Sequence, residues 1–453
     1  MKDPEPPQAQ ETPFLVELFL QLENAGIRYC VLRDADGLPQ NAMGHDLDIL
    51  VKPKEAKPAF KLICKAAETN GGRLVACYRR SAIVARFCGH NHLGWWGMAV
   101  DVFVDMEYGG LPYYNADTIL DNSRKRNGVR VASEKDSAVS AFLKECLYAG
   151  CNRKGYAMRA AQCVVNTPER FKPVLQDYFG RTATSRLMNF FGEGAPETEI
   201  PRLARTLRRG LLWQRLTGFP LRTVCGRVLS YWQRFTRVLA PPGFTIALLG
   251  TDGSGKSTII GKIEPPLMHA THDEVICEHL RPNLLPSLAK LFGRPEAAET
   301  TSNPHSGRPS GTFGSLARLS YYTLDYVLGF WIKVFPSLVR CPSIWIFDRY
   351  FHDLLTDPRR ARLALPRWVI RLYSLVIPRP DIILCLGADA AVVQGRKAEI
   401  SLNAAQKAMT LLRDFCRTEP RAVWIDTGVT IEESTDQALA AVTARMAARH
   451  PRY

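Results

Sequence analysis

The chain has 453 residues, a formal net charge of +15, and 46% apolar against 23% charged residues. That length exceeds one ordinary core and implies two or three domains, and that balance excludes a disordered or fibrous chain. Twelve cysteines without a CxxC or CxxH pattern favour reduced thiols in a cytoplasmic protein over a disulfide framework or a zinc site.

The first 13 residues, MKDPEPPQAQETP, are acidic and proline-rich, with no apolar core of a signal peptide. Phe14 to Gly26 has the spacing of an amphipathic helix. IRYCVLR then reads as a strand, DADGLPQNAMG as a loop and HDLDILV as a strand with alternating faces. A helix over about Glu55 to Thr69 and strands around RLVACYR, AIVARF and MAVDVFVD complete a small α+β domain, taken as residues 14–133. Residues 134–240 have helical periodicity broken at Pro168, Pro196 and Pro201, and read as a helical linker or second domain. Its stretch 201–240 carries nine arginines and no acid, mixed with Leu, Trp, Phe and Tyr. Three readings stay open there: a helix pair joining two domains, peripheral contact with an anionic membrane, or nucleic-acid binding.

Ala240-Pro241-Pro242-Gly243 marks a boundary, and strands alternate with helices over 241–453, which predicts a parallel sheet covered on both faces. The strands are FTIALLG, EVICEHL, SIWIFD, DIILCLG and AVWIDT; helices are expected over 315–339 and near 365–376. Segment 293–314, polar and rich in Gly, Pro and Ser, reads as a loop. Over Tyr321 to Val339 the chain is apolar, but Asp325 and Lys333 argue for a buried helix rather than a membrane span.

Residues Gly250, Thr251, Asp252, Gly253, Ser254, Gly255, Lys256 and Ser257 fit G-x-x-x-x-G-K-[ST], with Thr258 following, between an apolar strand and a helix-compatible run. Glycines let backbone N–H groups surround phosphate oxygens, and the helix N-terminus adds positive potential. Lys256 is the candidate for neutralising β/γ-phosphate charge, and the Ser257 hydroxyl for binding magnesium. Asp348 ends the strand SIWIFD and is assigned to the magnesium shell or to acceptor deprotonation. Arg349 follows it as a bidentate partner for the acceptor's phosphate.

GTDGSGKST, a DRY after a strand, RPDIILCLGAD with an Arg-Lys soon after, and VWIDT before a last helix together resemble the thymidylate kinase family, over about 210 residues. That resemblance implies the P-loop parallel sheet of nucleoside monophosphate kinases, with five strands, an ATP site with Mg2+, a short lid and a dimer. It also implies that Asp252 meets the acceptor's sugar hydroxyl, that Arg281 shares the acceptor phosphate with Arg349, and that Arg396 or Lys397 stabilises the transferring phosphoryl. The expected activity is phosphorylation of dTMP or a related nucleoside monophosphate. FHDLLTDPRR replaces the family's thymine-pocket stretch, and HLRP replaces its second-strand motif. The combination looks more like the divergent thymidylate-kinase-like proteins often associated with bacterial surface-polysaccharide genes, so a sugar or glycan acceptor and a non-catalytic nucleotide-binding scaffold are the alternatives. Arg359 and Arg360 are further candidates for an anionic acceptor.

In the front domain, Asp46 and Asp48 lie two apart on a strand, which puts both carboxylates on one face where they can share a divalent cation. Asp101 on a neighbouring strand is the expected third carboxylate, with Asp105 as second choice. This segment resembles the polymerase-β-like nucleotidyltransferase superfamily over roughly residues 14–110. That superfamily has a Gly-Ser or Gly-Gly turn ahead of the paired carboxylates; the corresponding stretch here, VLRDADGLP, has no such pair, so either Arg33 takes its place in triphosphate binding or the domain is inactive.

Overall fold

The computed structural model describes residues 9–152, 155–194, 196–271, 273–286, 311–356, 363–389, 392 and 402–450. The expectations placed on residues 293–310, Arg359, Arg360, Arg396 and Lys397 lie outside the described residues. The chain forms two compact units, residues 1–239 with 452–453 and residues 240–451.

The first unit is built on a seven-stranded sheet. Helix α1 (Thr12–Asn24) leads into strands β1 (Tyr29–Val31) and β2 (Leu47–Val51), and helix α2 (Ala56–Thr69) into β3 (Gly72–Arg79), β4 (Ala82–Asn91) and β5 (Gly94–Phe103). A hairpin β6 (Met106–Tyr108) and β7 (Leu111–Tyr114), a short helix α3 (Ala116–Asp121), and strands β8 (Arg124–Arg126) and β9 (Val129–Val131) follow. The main sheet runs β3-β4-β5-β2-β1-β9-β8. Alternation sorts its side chains: Leu47, Ile49 and Val51 pack with Phe14, Leu18, Phe60 and Ile63 of α1 and α2. Leu50 and Phe103 point to the other face.

That second face is covered by α4 (Glu134–Ala149), α5 (Tyr156–Asn166), α6 (Pro168–Gly192) and α7 (Ile200–Gly218). Phe142, Leu147, Phe171, Leu187 and Leu207 from these helices share one core with Cys30, Leu50 and Phe103 of the sheet. Where the sequence reading sets residues 134–240 apart from 14–133, the structure packs them together. The physical reason is that β2 is buried on both faces, so its polar-looking face needs a cover that the first 133 residues do not supply. Helix α8 (Pro220–Leu239) ends the unit.

The second unit holds a parallel sheet of strands β10 (Phe244–Leu249), β11 (Val275–His279), β12 (Ile344–Asp348), β13 (Ile382–Gly387) and β14 (Ala422–Asp426), in the order β11-β12-β10-β13-β14. β10, wholly buried, is the centre, as expected of a continuous apolar run in a parallel sheet. Around it are helices α9 (Lys256–Thr271), α10 (Thr312–Gly329), α11 (Phe335–Arg340), α12 (Asp353–Thr356), α13 (Arg367–Ser374), α14 (Leu402–Thr418) and α15 (Ile431–Ala447). The single helix expected over 315–339 is interrupted by a π-turn at Phe330–Val334. α15 opens on a capping box, in which Thr430 and Glu433 each bond the other's backbone N–H.

The strand order reverses at β10. The chain leaves β10, skips over β12 to form β11, and returns, while β13 lies on the other side. The crevice at the carboxyl ends of β10 and β12 is the place where open α/β sheets bind ligands.

Candidate functional site

Residues 250–255 connect β10 to α9, and Lys256 is the first residue of the helix. Gly253 and Gly255 hold φ of 82° and 84°, conformations that a side chain makes costly. Gly250 is needed for space: a Cβ there would stand 2.7 Å from the Leu386 carbonyl oxygen of β13. Lys256 is buried, and its Nζ donates to the carbonyls of Gly250 at 3.0 Å and Thr251 at 2.9 Å. Burial, with repulsion from Arg349, lowers its pKa to about 7 against partial compensation from Asp353, Asp348 and Asp252. Ser257 and Thr258 are exposed on the first turn of α9. Ser254 is buried, and its hydroxyl has no hydrogen-bond partner among the described residues.

Asp348 is the last residue of β12, in register with Leu248 of β10 and His279 of β11. His279 Nδ1 lies 3.5 Å from its Oδ2. Burial pushes the Asp348 carboxyl up, but His279, Lys256 and Arg349 outweigh it and leave the group below the usual carboxylate range. Its other oxygen, Oδ1, is buried and takes no hydrogen bond from the described residues. An orphaned anionic oxygen beside the glycine loop fits a cation.

Arg349 is buried and committed on three sides. It donates to Asp252 Oδ1 at 2.6 Å, to Asp353 Oδ2 at 2.7 Å and to the Gly250 carbonyl at 3.1 Å. These carboxylates outweigh the burial penalty and raise its pKa. Its backbone is in the left-handed region, φ 76°, and so is that of Leu280, φ 60°, just before Arg281. Such strain costs about 1–3 kcal/mol per residue and persists where the surroundings over-determine it. Arg281 is also buried, with Nη1 3.1 Å from Asp325 Oδ2 and its guanidinium 5.1 Å over the Tyr322 ring.

Asp252, Lys256, Asp348 and Arg349 are thus joined in one network, and Arg281 lies two residues after the end of β11. Sequence reasoning missed Asp353, His279 and Asp325, the carboxylates and imidazole that hold these groups. Asp353 had a signal, an acid four residues after an arginine. Asp325 had one too, a lone acid in an apolar stretch.

In the first unit, Asp46, Asp48 and Asp101 bring ligand oxygens within 4.8 Å of one another. Asp48 of β2 and Asp101 of β5 are direct neighbours in parallel register, whereas Asp46 lies just before β2 begins. Asp105 lies outside the trio and accepts from the Met106 N–H at 2.8 Å. Cations crowd the trio: Arg33 Nε is 2.6 Å and Lys144 Nζ 3.6 Å from Asp48, and Arg86 donates to Asp101 at 2.8 Å. Burial raises the Asp48 pKa in spite of Lys144 and Arg33. Its Oδ1 is buried and accepts no hydrogen bond from the described residues, so the trio, too, fits a cation. Arg86 and Lys144 were not anticipated; their signal is a charge on an otherwise buried strand or helix face.

No family model matches this chain, and no curated protein matches it. Among solved structures it is similar to a thymidylate kinase from Ehrlichia chaffeensis, at 18% identity and a TM-score of 0.32, over 44% of this chain and 98% of that one. The strand order around β10 and the glycine loop opening α9 define the class of the second unit: an α/β fold of the P-loop NTPase type.

Proposed function

We propose that residues 240–451 are an ATP-dependent phosphotransferase acting on dTMP or a related nucleoside monophosphate. The observation that carries this reading is Lys256, held inside a glycine loop by two carbonyls, beside a buried carboxylate oxygen with no donor among the described residues. Backbone N–H groups of residues 250–257 would take the ATP phosphates, and Lys256 would exchange its carbonyls for β/γ-phosphate oxygens. Ser257 and Asp348 would hold magnesium, which supplies neutralisation of phosphate charge when bound. Arg349 and Arg281 would turn from Asp252, Asp353 and Asp325 to the acceptor's phosphate. An acceptor oxygen then bonds to the γ-phosphorus, the β–γ bridging P–O bond breaks, and ADP leaves. Little covalent work falls to the protein, so positioning and charge dominate the rate.

The test is label transfer from γ-labelled ATP, with magnesium, to separate pools of dTMP, other nucleoside monophosphates and phosphorylated sugars. Label on dTMP or a related monophosphate is expected. Label on sugars alone would replace the acceptor class, and ATP binding without transfer would leave a scaffold. Lys256→Ala should cut transfer roughly 10²–10³-fold, the usual loss of one charged donor; an unchanged rate would reject the site.

A second reading concerns the first unit, where the register of Asp48 with Asp101 favours nucleotidyl transfer. Asp46, Asp48 and Asp101 would hold divalent cations, with Arg33 freed to meet a triphosphate. An acceptor oxygen would bond to the α-phosphorus as the α–β bridging P–O bond breaks, so transfer of label from α-labelled nucleoside triphosphates to an acceptor hydroxyl with release of unlabelled pyrophosphate, both lost in Asp48→Asn, is the expected result.

A further inference from the structure

Helix α8 is mounted the wrong way round. The side it turns inward is small and polar: Thr223 is buried, and Gly226, Arg227, Ser230, Gln233 and Arg237 are half-buried, at spacings of three and four. Gly226 meets the backbone of Gly110 so closely that a Cβ on it would stand 2.4 Å from the Gly110 carbonyl oxygen. Arg237 lies over the Tyr78 ring at 5.6 Å. The opposite side, turned away from the rest of the first unit, carries Leu221, Val224, Val228, Trp232, Phe235 and Leu239, each more than half exposed. An ordinary surface helix does the reverse. The preceding helix α7 obeys the rule, burying Leu203, Leu207 and Leu211.

An apolar helix face in water is unfavourable unless something covers it. Charge selects what does. Arg222 and Arg234 are exposed on the two flanks of this face, within a stretch of nine arginines and no acid. A second copy packed symmetrically would set arginine against arginine. Nucleic acid would gain from the arginines but nothing from Leu221, Val224 and Val228. An anionic lipid surface takes both parts, apolar side chains below the headgroups and guanidinium groups among them. Among the described residues no helix is long and apolar enough to cross a membrane, so α8 would lie in the interface and not span it. We infer that α8 is a docking surface for anionic lipid, with Trp232 and Phe235 as its inserted anchors and Arg222 and Arg234 as its headgroup contacts. This holds whatever the second unit phosphorylates.

The full chain would be sedimented with phosphatidylcholine vesicles with and without phosphatidylserine, at low and high salt. It is expected to pellet with the phosphatidylserine vesicles, less so at high salt. Trp232→Gln/Phe235→Gln should weaken that partition roughly tenfold or more. Arg222→Gln/Arg234→Gln should weaken it and flatten its salt dependence. All four side chains are exposed, so an unchanged melting profile is expected to show that the variants fold. The proposal is overturned if the wild-type chain stays in the supernatant with phosphatidylserine vesicles at low salt. It is equally overturned if the aromatic double variant binds as wild type does, or if α8 proves to be covered by a second copy in a dimer that this variant dissociates.

Discussion

At the scale of single residues, Lys256 sets a pH dependence. Its pKa of about 7 lies below the ordinary 10.5 because it is buried beside Arg349. On the proposed reading, a phosphate in the loop would favour the ammonium form and raise the bound pKa. Binding is therefore linked to proton uptake, and ATP affinity should fall as pH climbs above about 7. Calorimetric titration in buffers of different ionisation enthalpy would measure it: an apparent enthalpy independent of buffer near neutral pH would refute the linkage. The same lysine affects the stability of the fold in the opposite direction. Between about 7 and 10.5 the unfolded chain holds the proton that the folded chain releases, so this group's contribution to stability increases with pH there.

At the scale of the element, the glycine loop depends on a contact outside itself. Gly250 packs under the Leu386 carbonyl of β13, and backbone cannot retreat as a flexible side chain can. Gly250→Ala should cost about 1–3 kcal/mol as overpacking and weaken ATP binding together, read by denaturant unfolding and by titration. A variant as stable as wild type would show that the β10–β13 register tolerates movement. The loop itself was legible from its spacing. Its dependence on β13 was not, because Leu386 lies more than a hundred residues away and only the parallel pairing of β10 with β13 brings it there. The same holds for the carboxylate trio, where Asp48 and Asp101 meet through strand register and not through spacing.

At the scale of the whole molecule, each unit has hydrophobic core of its own, in the first around Phe142, Phe171 and Leu207 on one face of the sheet and Phe14, Phe60 and Ile63 on the other, in the second around Trp345, Phe351 and Ile383. Thermal unfolding of the full chain should show two transitions. ATP with magnesium should raise only the one belonging to residues 240–451, by about 2.7 kcal/mol at a hundredfold excess over Kd. The Lys256→Ala chain should lose that shift and keep both transitions. A single transition that moves as one would mean that the two units unfold as one cooperative body.

The sequence by itself determined the elements whose signals are local. A glycine loop between an apolar strand and a helix has few other uses, strand–helix alternation forces a parallel sheet, and a run of nine arginines without an acid declares its charge before any folding. Tertiary structure alone decided which groups neutralise which. Arg349 and Arg281, the candidates for the acceptor's phosphate, are held by Asp252, Asp353 and Asp325. Helices α4–α7 complete the front sheet's core, and α8 turns its apolar side away from the rest of the first unit. The reason is common to all three. Periodicity states that a face is apolar, and residue type states that a group is charged, but the partner that each one meets is chosen by contacts between segments far apart in the chain.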